Sequence, residues 1–340
     1  MTKRVASVFS VKFLRRRQLL LALGAGALAP SLASFAQQPP AMVARIGFLG
    51  SESASGYVSR VNALRAGLRD LGYVEGRNIV IEFRWAEGNY ERLPDLAAEL
   101  VRLKLDVIVT HAIPGTRAAK RATTTIPIVM AVGLDPVAMG LIASLARPGG
   151  NITGSTFFGP ELSAKRLELL KDAMPRIMRV AFIVNPDNPG MVLGLQAMES
   201  TARLLKMESE IIEVRSPKEF DGAFAAMAKR RVDAVAVQED PLFIANAGAI
   251  ANLATKQRLP SIGFTEFAET GGLIGYGANY PEMFRRAAYF VDRILKGAKP
   301  GELPVEQPTK FELVVNMKTA KALGLKIPNS ILVRADRVIE

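Results

Sequence analysis

A chain of 340 residues is long enough for two α/β lobes with separate cores, and its 49% apolar and 22% charged residues are typical of a folded globular protein. The sequence contains no cysteine, which excludes a disulfide framework, a thiol nucleophile, a thiolate metal site and a lipid-modified N-terminal cysteine. The net charge of +12 would suggest nucleic acid or a membrane surface, but residues 1–36 hold six Lys and Arg and no acidic residue. The remaining 38 basic and 32 acidic residues give only +6, so no nucleic-acid partner is predicted.

Residues 1–36 have the pattern of a signal peptide. Basic residues up to Arg17 precede an apolar run at 19–29, and small residues then lead to Ala36. The apolar run is too short for a membrane span, which takes about 20 residues. We expect cleavage after Ala36 and a periplasmic protein, with an uncleaved membrane anchor as the alternative. The pair Arg16-Arg17 resembles a twin-arginine export signal, although the general secretion route would also fit.

Strands and helices alternate in the first part of the chain. The strands are short apolar runs, and each precedes a segment with apolar residues at helical spacing. The predicted strands are 44–49, 79–85, 106–110 and 128–132, and the predicted helices are 57–71, 90–102, 115–122 and 136–145. Apolar strands joined by helices predict a parallel sheet that is covered on both faces.

Turn residues at 147–154 interrupt this alternation before a helix at 161–173, and a second lobe is predicted to begin near them. A second βαβ series then follows. Its predicted strands are 179–184, 209–214, 234–237, 260–263 and 273–276, and its predicted helices are 191–205, 217–230 and 246–258. The C-terminal part adds a helix at 281–296, a strand at 311–315 and a short helix at 318–323.

Five separate motifs resemble those of a known family, and they occur in the same order. They are Arg-Ile-Gly-Phe-Leu at 45–49, Asp-Pro at 135–136, Arg-Pro-Gly-Gly-Asn-Ile-Thr-Gly at 147–154, Asn-Pro-Asp-Asn-Pro at 185–189 and Gln-Pro-Thr-Lys-Phe-Glu-Leu at 307–313. Over nearly its whole length after residue 36, the chain is similar to the ABC transporter substrate-binding proteins related to the tryptophan- and tyrosine-binding TrpX proteins.

The resemblance implies a type I periplasmic-binding-protein fold. In this fold, two doubly wound parallel-sheet (Rossmann-like) lobes are joined by three crossovers and close on a ligand between them. The implied lobes are residues 42–155 plus 279–303 and residues 156–278 plus 304–340. The helix at 281–296 would thus return to the first lobe.

Ligands of open parallel sheets bind at the carboxyl ends of the strands, where loops converge and helix N-termini offer free N–H groups. The strand ends therefore predict ligand contacts from both lobes. The predicted ligand-binding residues are Ser51, Thr110 and Asp135 in the first lobe and Asn185, Asp240 and Tyr276 in the second. Hydroxyl and N–H groups suit a carboxylate, and Asp135 or Asp240 suits an ammonium, so the predicted ligand is an amino acid or a similar zwitterion.

Several of these residues also have purely structural interpretations. Asp135 precedes a proline and could simply cap a helix. Ser51 and Thr110 could be turn hydroxyls, and Tyr276 could pack on the edge of its lobe. Both interpretations stay open at the level of the sequence.

Four aromatic residues have both a functional and a structural interpretation. His111 is the only histidine, which excludes a two-histidine metal site, and it is interpreted as a polar loop residue. Trp85, the only tryptophan, is interpreted as structural. Phe157 and Phe158 follow the turn segment, where they either pack beneath a hinge or set the balance between open and closed forms. No metal or cofactor is predicted.

The predicted function is that of the extracytoplasmic solute-binding component of an ABC importer, whose lobes close on a small molecule and deliver it to a membrane permease. An exported binding protein that feeds a membrane sensor is the alternative. An enzyme is disfavoured because the sequence has no cysteine, a single histidine, no Gly-x-Ser-x-Gly elbow and no phosphate-binding loop. A monomer is expected, since no segment indicates a self-complementary surface.

Overall fold

The computed structural model describes residues 43–157 and 159–340, so the predicted signal peptide and Phe158 lie outside the described residues. Val43–Glu340 forms one compact unit. Within it, the strands assemble into a five-stranded sheet and a seven-stranded sheet, and helices flank both. The predicted two-lobed, parallel-sheet α/β architecture is confirmed.

The first lobe is built on the five-stranded sheet. Its strands are β1 (Ala44–Gly50), β2 (Ile79–Trp85), β3 (Val107–Thr110), β4 (Ile128–Leu134) and β5 (Ile152–Phe157), and its first helices are α1 (Val58–Asp70), α2 (Leu93–Arg102) and α3 (Ala112–Ala122). The strands are all parallel, in the order β2-β1-β3-β4-β5. Helix α1 buries Val61, Leu64 and Leu68 because residues three and four apart share one helical face.

The second lobe is built on the seven-stranded sheet. Its strands are β6 (Arg179–Val184), β7 (Glu208–Glu213), β8 (Ala234–Val237), β9 (Ser261–Gly263), β10 (Ile274–Gly277), β11 (Glu312–Asn316) and β12 (Arg337–Ile339). Their order is β12-β11-β10-β9-β8-β6-β7, and β10–β11 is the antiparallel pair. The helices that follow α3 are α4 (Gly159–Ala173), α5 (Met191–Leu204), α6 (Phe220–Lys229), α7 (Pro241–Ala245), α8 (Ala247–Lys256), α9 (Thr265–Glu269), α10 (Tyr280–Leu295), α11 (Met317–Leu323) and α12 (Asn329–Leu332).

Helix α10 follows a strand of the second sheet but packs against α1, β3, β4 and β5 of the first. Its buried side chains include Phe284, Ala288 and Val291, which recur at helical spacing. The chain then passes back, because β11 pairs with β10, and Ser155 and Glu306 form an isolated bridge where two crossing segments meet. The residues at which each predicted lobe begins and ends stay a prediction.

Residues 152–154 were predicted as part of a turn region and instead begin the edge strand β5, in which all six residues are buried. Gly154 explains why its sequence resembles a turn. Its φ of +133° is unfavourable for any other residue. A Cβ at Gly154 would also lie 2.1 Å from the Met130 carbonyl oxygen, so glycine is required for β5 to pack this closely on β4.

The helix predicted at 136–145 is wrong, since the structure has a series of turns in this segment. Gly140 has a left-handed φ of +65°, which interrupts the helical ladder. The N–H groups of Leu141 and Ile142 both bond to the Pro136 carbonyl, which closes a compact loop. None of the helices in the described part of the chain is both long and apolar enough to span a membrane.

Candidate ligand-binding site

A cavity of about 40 Å³ lies between the two lobes. Its walls come from both sheets at the carboxyl ends of their strands, from the start of α1, and from α10. The wall residues are Tyr57, Arg60, His111, Ala112, Ile113, Val132, Gly133, Leu134, Phe157, Tyr280 and Phe284 with the first lobe, and Asn188, Gly190, Glu239, Pro241 and Ile244 with the second. A position between two domains is common for small-molecule sites.

The lobes touch across the cleft at two glycines, which describes a closed form. A Cβ on Gly56 would lie 2.7 Å from the Ala245 Cβ, and a Cβ on Gly190 would lie 2.8 Å from the Ile113 Cγ1. Carbon atoms in ordinary contact are about 3.5–4.0 Å apart, so a larger residue at either position would hold the lobes apart. The absence of a side chain at these glycines therefore lets the cleft close.

His111 lies in the cavity wall, at the position where β3 leads into α3. Its Nδ1 is 3.3 Å from the Tyr57 hydroxyl, and the two rings are 4.4 Å apart. Burial, and then the charge of Arg60, lowers the pKa of His111 to about 3, so the ring is neutral at physiological pH. Burial raises the pKa of the Tyr57 hydroxyl, so both groups of this hydrogen bond are neutral. In the tautomer in which Tyr57 donates to Nδ1, His111 Nε2 carries the ring hydrogen and is a donor.

A buried ion pair joins the lobes next to this histidine. Arg60, on α1, donates from Nη2 to Glu266 Oε1 of the second lobe at 3.1 Å. The guanidinium also lies 5.1 Å from the Tyr57 ring centroid and 6.0 Å from that of Tyr280. The Arg60 side chain is 6% exposed, so its charge is focused on the cavity that it lines.

A second buried ion pair lies beneath the wall on the other lobe. The guanidinium of Arg166, which is 1% exposed, donates to both carboxylate oxygens of Glu239 and through Nε to the Tyr276 carbonyl at 2.7 Å. Burial by itself lowers the pKa of Arg166, but the charge of Glu239 more than compensates and raises it. This bidentate pair fixes the Glu239 carboxylate at the cavity wall.

Asp240 is held by four hydrogen bonds and is fully buried. Its Oδ1 accepts from Asn185 Nδ2 at 3.1 Å, from Tyr90 OH at 3.0 Å and from the Leu242 N–H at 2.9 Å, and its Oδ2 accepts from Asn188 Nδ2 at 2.7 Å. Tyr90 belongs to the first lobe, so this bond crosses the cleft. Burial raises the pKa of Asp240, while the hydrogen bonds act in the opposite direction.

Unsatisfied polar atoms concentrate at this cleft. Among the described residues, six buried side-chain atoms lack a hydrogen-bond partner, and five of them belong to residues at strand ends or helix starts around the cavity. These five are Ser51 Oγ, Glu52 Oε1, His111 Nε2, Glu266 Oε2 and Tyr280 OH. Because an unsatisfied buried polar group costs about 1–3 kcal/mol, such a cluster indicates a place where a polar ligand or water binds.

The structure brings four of the six predicted residues to this region. Ser51 and Thr110 are fully buried at adjacent strand ends, and the Thr110 hydroxyl donates to the Leu49 carbonyl at 3.0 Å. Asn185 and Asp240 are bonded to each other on the opposite lobe. None of these four is among the wall residues, and their predicted ligand contacts stay a prediction.

The other two predicted residues lie outside the cavity wall. Asp135 caps its own turn, because its Oδ1 accepts from the Ala138 N–H at 3.0 Å, which is the structural alternative given above. The Tyr276 ring packs on Phe311 with centroids 6.3 Å apart. The predicted ligand contacts of Asp135 and Tyr276 also stay a prediction.

Sequence reasoning missed the wall residues that follow the strand ends by several positions. Tyr57, Arg60, Tyr280 and Phe284 lie on helices, where their apolar spacing predicts core packing. His111 was interpreted as a polar loop residue, although its position after β3 was a usable signal. Trp85, interpreted as structural, stacks on Phe83 with centroids 5.9 Å apart.

The described residues contain no group of three or more His, Cys, Asp or Glu side chains arranged to hold a metal ion. The cavity instead combines apolar walls with a neutral histidine donor, two ion pairs and unsatisfied oxygen atoms. Such a surface can bind both the charged and the apolar parts of a small molecule by noncovalent contacts.

Comparison with known proteins also indicates a protein that binds a small molecule. The chain is 29% identical over 263 residues to a tyrosine-binding protein of Clostridioides difficile (strain R20291), covering 76% of this chain and 74% of that protein. It superposes with a TM-score of 0.79 and 26% identity on an ABC domain from Streptococcus pneumonia solved in complex with L-Trp, covering 87% of this chain and 99% of that one. A conserved domain protein from Vibrio cholerae gives a TM-score of 0.81, 26% identity and the same coverage.

The fold is therefore that of the type I periplasmic binding proteins. The family model described as ABC transporter substrate binding protein matches residues 52–339. That family consists of solute-binding proteins rather than enzymes. With this match over most of its length, the chain belongs to the ABC transporter substrate binding protein family.

Proposed function

We propose that this protein captures an amino acid in the cavity between its lobes and delivers it to an ABC importer. The observation that carries the proposal is the set of five unsatisfied buried polar atoms around the cavity between the two lobes. The names of two relatives, a tyrosine-binding protein and an L-Trp complex, support an amino acid as the ligand class.

The polar groups of the cavity suit the two charges of an amino acid. Donors for the carboxylate come from the first lobe, where His111 Nε2 and the Ser51 hydroxyl lack partners. Apolar side chains, including Ile113, Leu134 and Phe284, line the rest of the cavity and would contact the amino-acid side chain. Closure is then favoured by the contacts that the ligand makes with both lobes at once.

Delivery to a transporter is the less direct part of the proposal. Membership of the family supports it, since its members typically act outside the cytoplasm. The proposal includes export to the periplasm through the signal peptide predicted at 1–36, and a permease as the membrane partner. Fractionation of cells tests the location, and a chain retained in the cytoplasm would contradict this part.

A thermal-shift screen tests the proposed ligand class. The purified protein, unfolded and refolded to remove carried-over ligand, is heated with each of the 20 common amino acids and with sugars, nucleosides and dicarboxylates as competing classes. A ligand at 100 times its dissociation constant adds about 2.7 kcal/mol, a shift of several degrees. We expect at least one amino acid to raise the melting temperature. Stabilisation by another class alone would overturn the proposal.

A further inference from the structure

Glu52 is a buried carboxyl group without a charged partner in the part of the chain that the structure describes. It follows Ser51 at the end of β1, and the residue is only 5% exposed. Its Oε1 has no hydrogen-bond partner, and no Lys or Arg in the described residues forms a salt bridge with it. Buried carboxyl groups are normally paired, so an unpaired one at a ligand cleft indicates a partner that comes with the ligand.

The charged groups that act on Glu52 come from both lobes. Asp240 of the second lobe and Glu87 from the loop after β2 are both acidic, and burial together with these two charges raises the pKa of Glu52 to about 8. The phenol groups of Tyr57 and Tyr90 also lie close enough for the Glu52 charge to raise their pKa. Buried carboxylates that raise each other's pKa in this way are relieved by a nearby positive charge or by a bound proton.

The surrounding chain holds Glu52 in this position. Gly88, with a φ of +79°, brings the loop after β2 so close that a Cβ there would lie 3.3 Å from Glu52 Oε2. On the other lobe, Asp240 has its oxygens occupied by four donors. Glu266 also has a free oxygen, but it is paired with Arg60, whereas Glu52 has a free oxygen and, among the described residues, no salt bridge. The sequence-based assignment of the ammonium to Asp135 or Asp240 is therefore better transferred to Glu52.

We propose that Glu52 is the ammonium-binding residue of the cleft. Because Asp240 is also acidic, the lobes close over Glu52 only when a ligand ammonium or a proton neutralises the charge of Glu52. This inference rests on the proposed function, since it names the group that recognises the amine. It makes a specific claim about protons. When a ligand without an amine binds, the complex must take up one more proton than it does with a ligand that has an amine. This additional proton binds to Glu52.

Calorimetric proton counting tests this claim. L-tyrosine and 3-(4-hydroxyphenyl)propionate, which lacks only the amine, are titrated into the protein at pH 7 in buffers of different ionisation enthalpy. For an aliphatic amino acid that binds better, L-leucine and 4-methylpentanoate form the equivalent pair. Both titrations start from the same free protein, so its protonation state cancels when the proton uptake of one ligand is subtracted from that of the other. With a pKa of about 8 for buried Glu52, we expect the analogue to take up about 0.9 proton more than the amino acid.

The Glu52→Gln variant should abolish this difference, because glutamine resembles the protonated carboxyl and does not titrate. We expect this variant to bind the amino acid about 10- to 100-fold more weakly, which is the effect of losing one charge-assisted hydrogen bond. The affinity of this variant for the deaminated analogue should stay within about threefold of the wild-type affinity at pH 6. Glu87→Gln is the matched control, since Glu87 is exposed, and it should keep the proton difference.

A proton difference near zero in the wild type, or one that persists in Glu52→Gln, would overturn the assignment of Glu52. If no amino acid binds at all, the proposed function fails, and the assignment is then judged on tyramine against 4-ethylphenol. Tyramine binding that depends on Glu52 would support it. Tyramine binding that does not depend on Glu52, or no tyramine binding, would overturn it.

Discussion

Replacing Arg166 with methionine is expected to lower the free energy of unfolding by about 3–5 kcal/mol, because it leaves the Glu239 carboxylate buried without its counter-ion. The guanidinium satisfies both oxygens of that carboxylate and the Tyr276 carbonyl, and it is 1% exposed. Glu239 is also largely buried, with its side chain 9% exposed, so water replaces few of these bonds. Urea unfolding followed by circular dichroism measures the change.

Lys165 is a matched control because it is the neighbouring residue on the same helix. Its salt bridge to Glu168 is exposed, so Lys165→Met should change stability by no more than about 0.5 kcal/mol. The double variant Arg166→Met with Glu239→Gln should recover most of the lost stability, since no buried charge remains. A loss below about 1 kcal/mol in Arg166→Met would contradict a fully desolvated ion pair.

Gly56→Val is expected to weaken ligand binding at least about tenfold while leaving the stability of the fold nearly unchanged. A Cβ at Gly56 would lie 2.7 Å from the Ala245 Cβ and 3.4 Å from its Cα, and neither atom can rotate away. The clash arises between the lobes and not within one, so opening the cleft relieves it. Apparent affinity falls with the fraction of molecules that can close. Calorimetry measures the affinity, and small-angle scattering should show a larger radius of gyration.

The control is Gly222→Val, which adds the same side chain to an exposed helical glycine with no neighbour within 4 Å of its Cβ. It should leave both the affinity and the radius of gyration unchanged. Gly56→Ala should give an intermediate effect. Wild-type affinity in Gly56→Val would show that ligand binding does not require the closed form described above.

The strands of this protein were largely predictable, because buried parallel strands are nearly continuous apolar runs bounded by turn residues. The errors occurred where a single glycine changes the local backbone conformation. Gly154 made a buried strand resemble a turn, and Gly140 ended an apparent helix at 136–145. A left-handed φ depends on what the chain packs against, which sequence spacing alone does not reveal.

The site was predictable only in outline. The rule of strand ends placed Ser51, Thr110, Asn185 and Asp240 near the interface between the lobes, because the topology of parallel sheets fixes where those ends meet. It could not show that Asp240 is already saturated by four donors or that Glu52 is not. Those properties depend on contacts between the lobes, which join residues as far apart as Tyr90 and Asp240 in the sequence.

Hydrogen exchange with and without a bound amino acid tests the central claim, that the ligand is held between the two lobes, most directly. The ligand is the amino acid with the largest thermal shift, at a saturating concentration. We expect simultaneous protection of amides at the strand ends of both lobes, around residues 49–52 and 110–113 on one side and 185–190 and 239–244 on the other. Protection confined to one lobe, or found only at the crossovers near Ser155 and Glu306, would contradict capture between the lobes.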